Sequence, residues 1–178
     1  MTDKEDHGTF HVLFICTGNT CRSPMAEGLL KKLLDDRPGQ GAAISVASAG
    51  TMGLVGMPAT QPAIAVAADY GIDIRSHRSR AATPRLLDEA DLVLTMADEH
   101  HDFCRGMGVP AERLYMLCAF PKHPEGLSRY NIPDPIGGDR TQYQRAFLLI
   151  EEALRRSLPE ILQRASDSQG GARSPEES

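Results

Sequence analysis

Cys16 is followed six positions on by Arg22 and then Ser23, with Thr17, Gly18, Asn19, Thr20 and Cys21 between them. Those residue types at that spacing can do covalent chemistry on phosphorus. A cysteine thiolate is a nucleophile. An arginine carries a planar fork of donors that holds two oxygens of a phosphoryl group, which a lysine cannot do. A neighbouring serine can donate a hydrogen bond to the thiolate as it leaves. The small and polar residues between them permit a tight loop whose backbone N–H groups form an anion nest. Spacing of this kind recurs by chance, and a buried cysteine at a strand end is the plain alternative. The flanking elements decide.

Upstream, "HVLFIC" (His11–Cys16) has the β-branched and aromatic content of a short buried strand, stopped by "TGN". Downstream, a helix is expected just after Arg22. Ser23 is its N-cap, Pro24 takes the first helical position, and Glu27 sits in the first turn. Met25, Leu29, Leu30 and Leu33 fall on one face, and "RPGQG" ends the helix. Cys16 therefore sits between the end of a strand and the positive end of a helix, where anions bind. The same field predicts a depressed thiol pKa.

The rest of the chain alternates in the same way. Ala43–Gly50 is a second strand. A helix is expected over about Thr60 to Tyr70, with Pro62 in its first turn and Gly71 as its stop. Thr83-Pro84 opens a short helix, Ala90–Ala97 is a third strand and Arg113–Phe120 a fourth. "RYNIPDPIGGDR" has the composition of an irregular loop. The last helix starts near Arg140, with Tyr143, Phe147, Ile150, Leu154, Leu158 and Ile161 three or four apart and Pro159 as a site for a kink. This alternation predicts an α/β fold: a single domain with a parallel four-stranded sheet, helices on both faces, and a phosphate loop after the first strand. The domain is expected over 10–165, with disordered polar ends at 1–9 and 166–178.

Composition narrows the function. The 178 residues carry 41% hydrophobic and 24% charged residues, as ordinary soluble domains do, and a formal charge of −5 argues against a nucleic-acid partner. No apolar run approaches membrane-spanning length, and the acidic start "MTDKEDHGTF" is unlike a signal peptide. Four cysteines without a dense framework fit a reducing compartment, so a cytoplasmic protein is expected.

With these elements around it, "CTGNTCRS" resembles the phosphate loop of the low-molecular-weight protein-tyrosine phosphatases, and the resemblance covers most of residues 11–160. The family carries its general acid in a downstream Asp-Pro loop, matched here by "DPIGGD" (Asp134–Asp139). The resemblance implies Cys16, Arg22 and Asp134 as catalytic residues, and Thr17, Gly18, Asn19, Thr20, Cys21 and Ser23 as the substrate-binding loop. It implies a left-handed Asn19 braced by Ser48 and His77, and makes Cys21 a partner that can trap Cys16 as a reversible disulfide. It implies phosphorylated proteins as substrates, and no metal or cofactor.

The family spans more than one substrate. Its tyrosine-specific members usually have Ile or a similar residue at the Thr20 position and aromatics after the Asp-Pro. Here Ile136, Gly137 and Gly138 follow, and "TMGLVGMP" contains no aromatic. A phenyl ring lacks flat walls for stacking. "CTGNTCRSPMAE" and the Gly-Gly pair are more similar to the bacterial protein-arginine phosphatases, although Ile136 stands where that branch commonly has phenylalanine. The resemblance thus implies phosphoarginine hydrolysis, with phosphotyrosine as the alternative.

Other readings are weaker. Thioredoxin-linked arsenate reductases share the loop but need two further cysteines about seven residues apart, and Cys104 and Cys118 are fourteen apart. "EHH" (Glu99–His101) could suggest a metal, but adjacent helical histidines diverge, so a solvated helix face is expected. Arg75, His77, Arg78 and Arg80 could attract acidic phosphoprotein segments; a solvated loop is the simpler reading.

Overall fold

Strand β1 (Thr9–Cys16) lies at the centre of the sheet because both of its faces are apolar. Phe10, Val12 and Phe14 point into one core, and Leu13 and Ile15 into another. This is how a strand covered by helices on both sides must read. The structure is a computed structural model and describes residues 8–38 and 43–170.

From β1 the chain passes into α1 (Arg22–Asp35), β2 (Ala43–Gly50), α2 (Gln61–Asp69), α3 (Pro84–Glu89), β3 (Leu92–Thr95), α4 (Asp98–Gly106), β4 (Leu114–Met116) and α5 (Arg140–Gly170). All strand pairings are parallel, in the order β2-β1-β3-β4. Helices α1, α2 and α5 cover the face of Phe10, Val12 and Phe14. Leu87 of α3 and Cys104 of α4 pack on the face of Leu13 and Ile15. The strand order reverses between β1 and β3, which opens a crevice beyond their carboxyl ends. Cys16 is the last residue of β1.

Most elements fall where the sequence places them. Thr60 precedes α2, Gly71 beyond it has φ +73°, and the Thr83 hydroxyl caps α3 by accepting from Leu86 N–H. All six residues expected to share a face of α5 are buried, and the helix continues through Pro159.

Several boundaries differ. β1 starts at Thr9, inside the expected disordered lead, because parallel pairing with β2 extends to Thr9 and Ala43. β3 and β4 are shorter than expected. Beyond β4 the backbone turns at once, with Ala119 and Phe120 N–H both donating to Met116 C=O. α5 runs five residues into the expected disordered tail, with Ala165 buried and Gln169 Nε2 donating to Gly8 C=O at 2.8 Å. Residues 1–7 and 171–178 of the expected ends, and the Gly39 and Gly41 stop signal after α1, lie outside the described residues.

Candidate active site

The loop Thr17–Cys21 joins β1 to α1. At its middle, Asn19 has φ +54°, the sole positive φ of a non-glycine residue among those described. Asn tolerates this conformation better than most residues, and its side chain is used to hold it. Nδ2 donates to Ser23 Oγ (2.8 Å) and Ser48 Oγ (2.9 Å), while Oδ1 accepts from Arg80 N–H (2.9 Å). His77 Nε2 meets Asn19 C=O at 2.7 Å. Ser48 in turn donates to Glu27 Oε2 at 2.5 Å. Gly50, at the end of β2, presses against the loop so closely that a Cβ there would lie 2.6 Å from Thr17 O.

This network directs donors at the sulfur. Because Ser23 Oγ accepts from Asn19, its proton is free for Cys16 Sγ, 2.9 Å away. Asn19 N–H donates to the same sulfur at 3.3 Å. Ser23 is therefore not the N-cap expected of it. α1 begins at Arg22, preceded by Cys21, without any side-chain cap. A capping side chain would occupy the space where the first N–H groups of the helix can meet an anion. The expectation of a depressed Cys16 thiol also needs correction. Burial pushes it up, and the lowering pull of Ser23, Arg22 and the Asn19 amide works against that desolvation.

Arg22 is buried, and the exposed Asp134 closes on it from the loop before α5. Nη1 donates to Ile132 C=O (2.9 Å). Nη2 donates to Thr17 Oγ1 (3.3 Å) and forms a 3.0 Å ion pair with Asp134 Oδ2. Nε is buried without a partner. Asp134 Oδ1 accepts from Ile136 N–H at 3.1 Å. The turn behind it is closed by Gly138 N–H donating to Pro135 C=O at 2.8 Å, with Gly137 at φ +74°. That conformation explains the glycine after Ile136.

A cavity of about 180 Å³ opens over these groups. Cys16, Thr17, Gly18, Thr20, Cys21, Arg22 and Asp134 line it, and Met52, Leu54 and Ile136 form its mouth. Asn19 and Ser23 lie fully buried beneath the wall. Ser48 and His77 both bond Asn19.

The sequence reading missed the roles of five residues. Arg80, assigned to a solvated loop, bonds Asn19 through its amide and Ser48 C=O through Nε (2.9 Å). Glu27 is not in the first turn of α1, the place expected of it, because the helix starts at Arg22; its carboxylate accepts from Ser48 instead. Tyr143 of α5 and Thr60 hold the Cys21 thiol at 3.4 and 3.5 Å, and burial pushes the Tyr143 hydroxyl up to about 12. His100 is not on a solvated face: it is buried, with Nε2 2.8 Å from Thr17 Oγ1. Its signal was the i, i+4 pairing with Cys104, which is buried on the same helix. Cys104, pushed up to about 12 by burial, lies in the opposite core from Cys16.

Comparison with known proteins agrees with this geometry. The family model for low molecular weight phosphotyrosine protein phosphatase matches residues 11–167. Low molecular weight protein-tyrosine phosphatase A of Mycobacterium bovis is 37% identical over 145 residues, covering 81% of this chain and 86% of that protein. The low molecular weight protein-tyrosine-phosphatase Etp of Escherichia coli is 34% identical over 142 residues, covering 80% and 88%. Among solved structures, the YwlE arginine phosphatase from Geobacillus stearothermophilus superposes with a TM-score of 0.73 at 30% identity, over 93% of this chain and 99% of that one. A cysteine at the end of the first strand, the arginine that opens the following helix and the matching span of both chains lead to one conclusion: this chain belongs to the low molecular weight phosphotyrosine protein phosphatase family, hydrolases that act on phosphoesters.

Proposed function

We propose that this protein removes phosphoryl groups from phosphoarginine in proteins, through a phosphocysteine on Cys16. The phosphoryl group would seat in the cavity, where the unpartnered Arg22 Nε is a buried donor awaiting an acceptor. Cys16 Sγ attacks phosphorus, the S–P bond forms as the P–N bond to the guanidine breaks, and Asp134 delivers a proton to the leaving nitrogen. Arg22 and the loop N–H groups stabilise the charge on the equatorial oxygens. Asp134, now a carboxylate, takes a proton from water. That water attacks phosphorus, the S–P bond breaks with its electron pair left on Cys16, and the Ser23 hydroxyl donates a hydrogen bond to the departing thiolate while inorganic phosphate leaves.

The observation that carries the choice of substrate is the cavity wall. Thr20 lines it, the mouth is the aliphatic set Met52, Leu54 and Ile136, and no aromatic side chain lines it among the described residues. A planar guanidinium needs no stacking wall and can pair with the Asp134 carboxylate once its proton has been delivered, whereas a phenyl ring gains little here. The structural likeness to the YwlE arginine phosphatase supports the same reading. The names of the curated relatives favour the second reading, phosphotyrosine, with identical chemistry at Cys16. The free thiols suit a reducing compartment such as the cytoplasm. The covalent step is tested by acid-quenching the protein with a phosphoarginine peptide and mapping the phosphoryl group by mass spectrometry. It should sit on Cys16 and be absent from Cys16→Ala. Turnover by Cys16→Ala would rule the mechanism out.

A further inference from the structure

α4 brings to the edge of the cradle a histidine that none of these steps uses. His100 is 1% exposed, with Nε2 2.8 Å from Thr17 Oγ1 and 3.3 Å from Glu99 Oε1. Its Nδ1 is buried without a partner. These contacts assign the tautomer. A proton on Nδ1 would bury a donor with no acceptor and turn a bare Nε2 lone pair toward the Glu99 carboxylate. A proton on Nε2 is instead shared between Thr17 and Glu99. Thr17 Oγ1 then accepts from His100 on one side and from Arg22 Nη2, at 3.3 Å, on the other, and its own proton points to Glu99 Oε1 at 3.4 Å. A hydroxyl that accepts twice and donates once is locked in rotation.

We infer that His100 is a positioning residue of the phosphate clamp: its Nε2–H fixes the Thr17 hydroxyl as an acceptor, and that oxygen holds the Nη2 edge of Arg22 beside the Cys16 loop. The inference rests on the proposed phosphatase reading of the site. The charges facing the ring are Arg22 from α1, Asp134 from the loop before α5, and Asp98 and Glu99 from α4. Burial first, and Arg22 second, push the imidazole down to about 4 against the pull of Asp134 and Asp98, so the ring is neutral at physiological pH. The role needs that neutrality, since an imidazolium would repel the guanidinium it helps to place.

The test uses the full-length protein with p-nitrophenyl phosphate as substrate and inorganic phosphate as the binding probe. His100→Leu should lower kcat/KM about tenfold and raise the phosphate Ki by a similar factor, the size of one lost hydrogen bond in the clamp. If leucine prevents folding, His100→Met takes its place. His100→Gln, whose amide can donate at a similar reach, should recover most of the loss. In a Thr17→Val background, His100→Leu should add nothing, because the hydroxyl it orients is gone. Additive losses in the double variant, or a phosphate Ki unchanged by His100→Leu, would overturn the inference and leave His100 as packing. Phosphate affinity read by thermal shift tests the clamp independently of turnover. A wild type inactive on the aryl phosphate would count against the phosphatase reading alone.

Discussion

Asn19 holds the nucleophile loop through three side-chain hydrogen bonds and a left-handed backbone, and two substitutions separate these contributions. In Asn19→Gly the bonds to Ser23, Ser48 and Arg80 N–H are lost, at about 1 kcal/mol each, so the protein should lose about 3 kcal/mol of stability. Asn19→Ala loses the same bonds and must also keep φ +54° with a Cβ, which adds about 1 kcal/mol. Urea unfolding of the three proteins gives both numbers, provided that the slope with denaturant stays constant. Both variants should also lose most activity, because Ser23 and the Asn19 amide would no longer be held against Cys16. Equal stabilities for the glycine and alanine variants would show that the loop does not enforce the left-handed conformation. A loss below about 1 kcal/mol in both would refute the view that this network holds the loop.

Three further outcomes follow from the same geometry. Asp134→Asn should slow hydrolysis of substrates with poor leaving groups by roughly 10²–10⁴-fold, and far less for activated aryl phosphates; equal losses would mean that Asp134 shapes the site by its pairing with Arg22. Thr20→Ile should lower kcat/KM on phosphoarginine peptides and raise it on phosphotyrosine peptides, each by about 10- to 200-fold, because it adds an apolar wall to the cavity; parallel changes would contradict that role. His100 lies at about 4 in the fold and ordinarily at 6.5, so the unfolded chain binds its proton first. Stability is then full above pH 6.5 and falls toward pH 4, by about 3 kcal/mol from this group, and His100→Gln should flatten that part of the profile measured by urea unfolding.

The parts of the fold legible in the sequence were those with a local cause. The apolar run of β1, the Thr-Pro and Gly punctuation of α2 and α3 and the three-four spacing of α5 each dictate their own element. β4 was overestimated because the run from Leu114 to Phe120 is apolar without a Gly, Asn or Asp to mark a turn, yet the backbone folds back after Met116. Cys16 and Arg22 stood out by residue type and spacing, whereas Asp134 came only from the resemblance to the family's downstream Asp-Pro loop; the fold sets it 3.0 Å from Arg22. The bracing by Arg80 and Glu27, and the contacts of His100 and Tyr143, were not. They arrive from separate elements, and each looks locally like an ordinary charged loop or helix residue. Ser23 misled for a related reason: its type and its place before a proline match an N-cap, while its hydroxyl is committed to Asn19 and Cys16.

The most direct measurement is a side-by-side determination of kcat/KM for the purified protein on matched peptides that differ only in carrying phosphoarginine or phosphotyrosine. A cavity with an aliphatic mouth, Thr20 in its wall and no aromatic side chain among the described lining residues predicts a preference for phosphoarginine of about tenfold or more. A higher kcat/KM on the phosphotyrosine peptide would contradict the account and make this chain a tyrosine phosphatase with the same Cys16 chemistry.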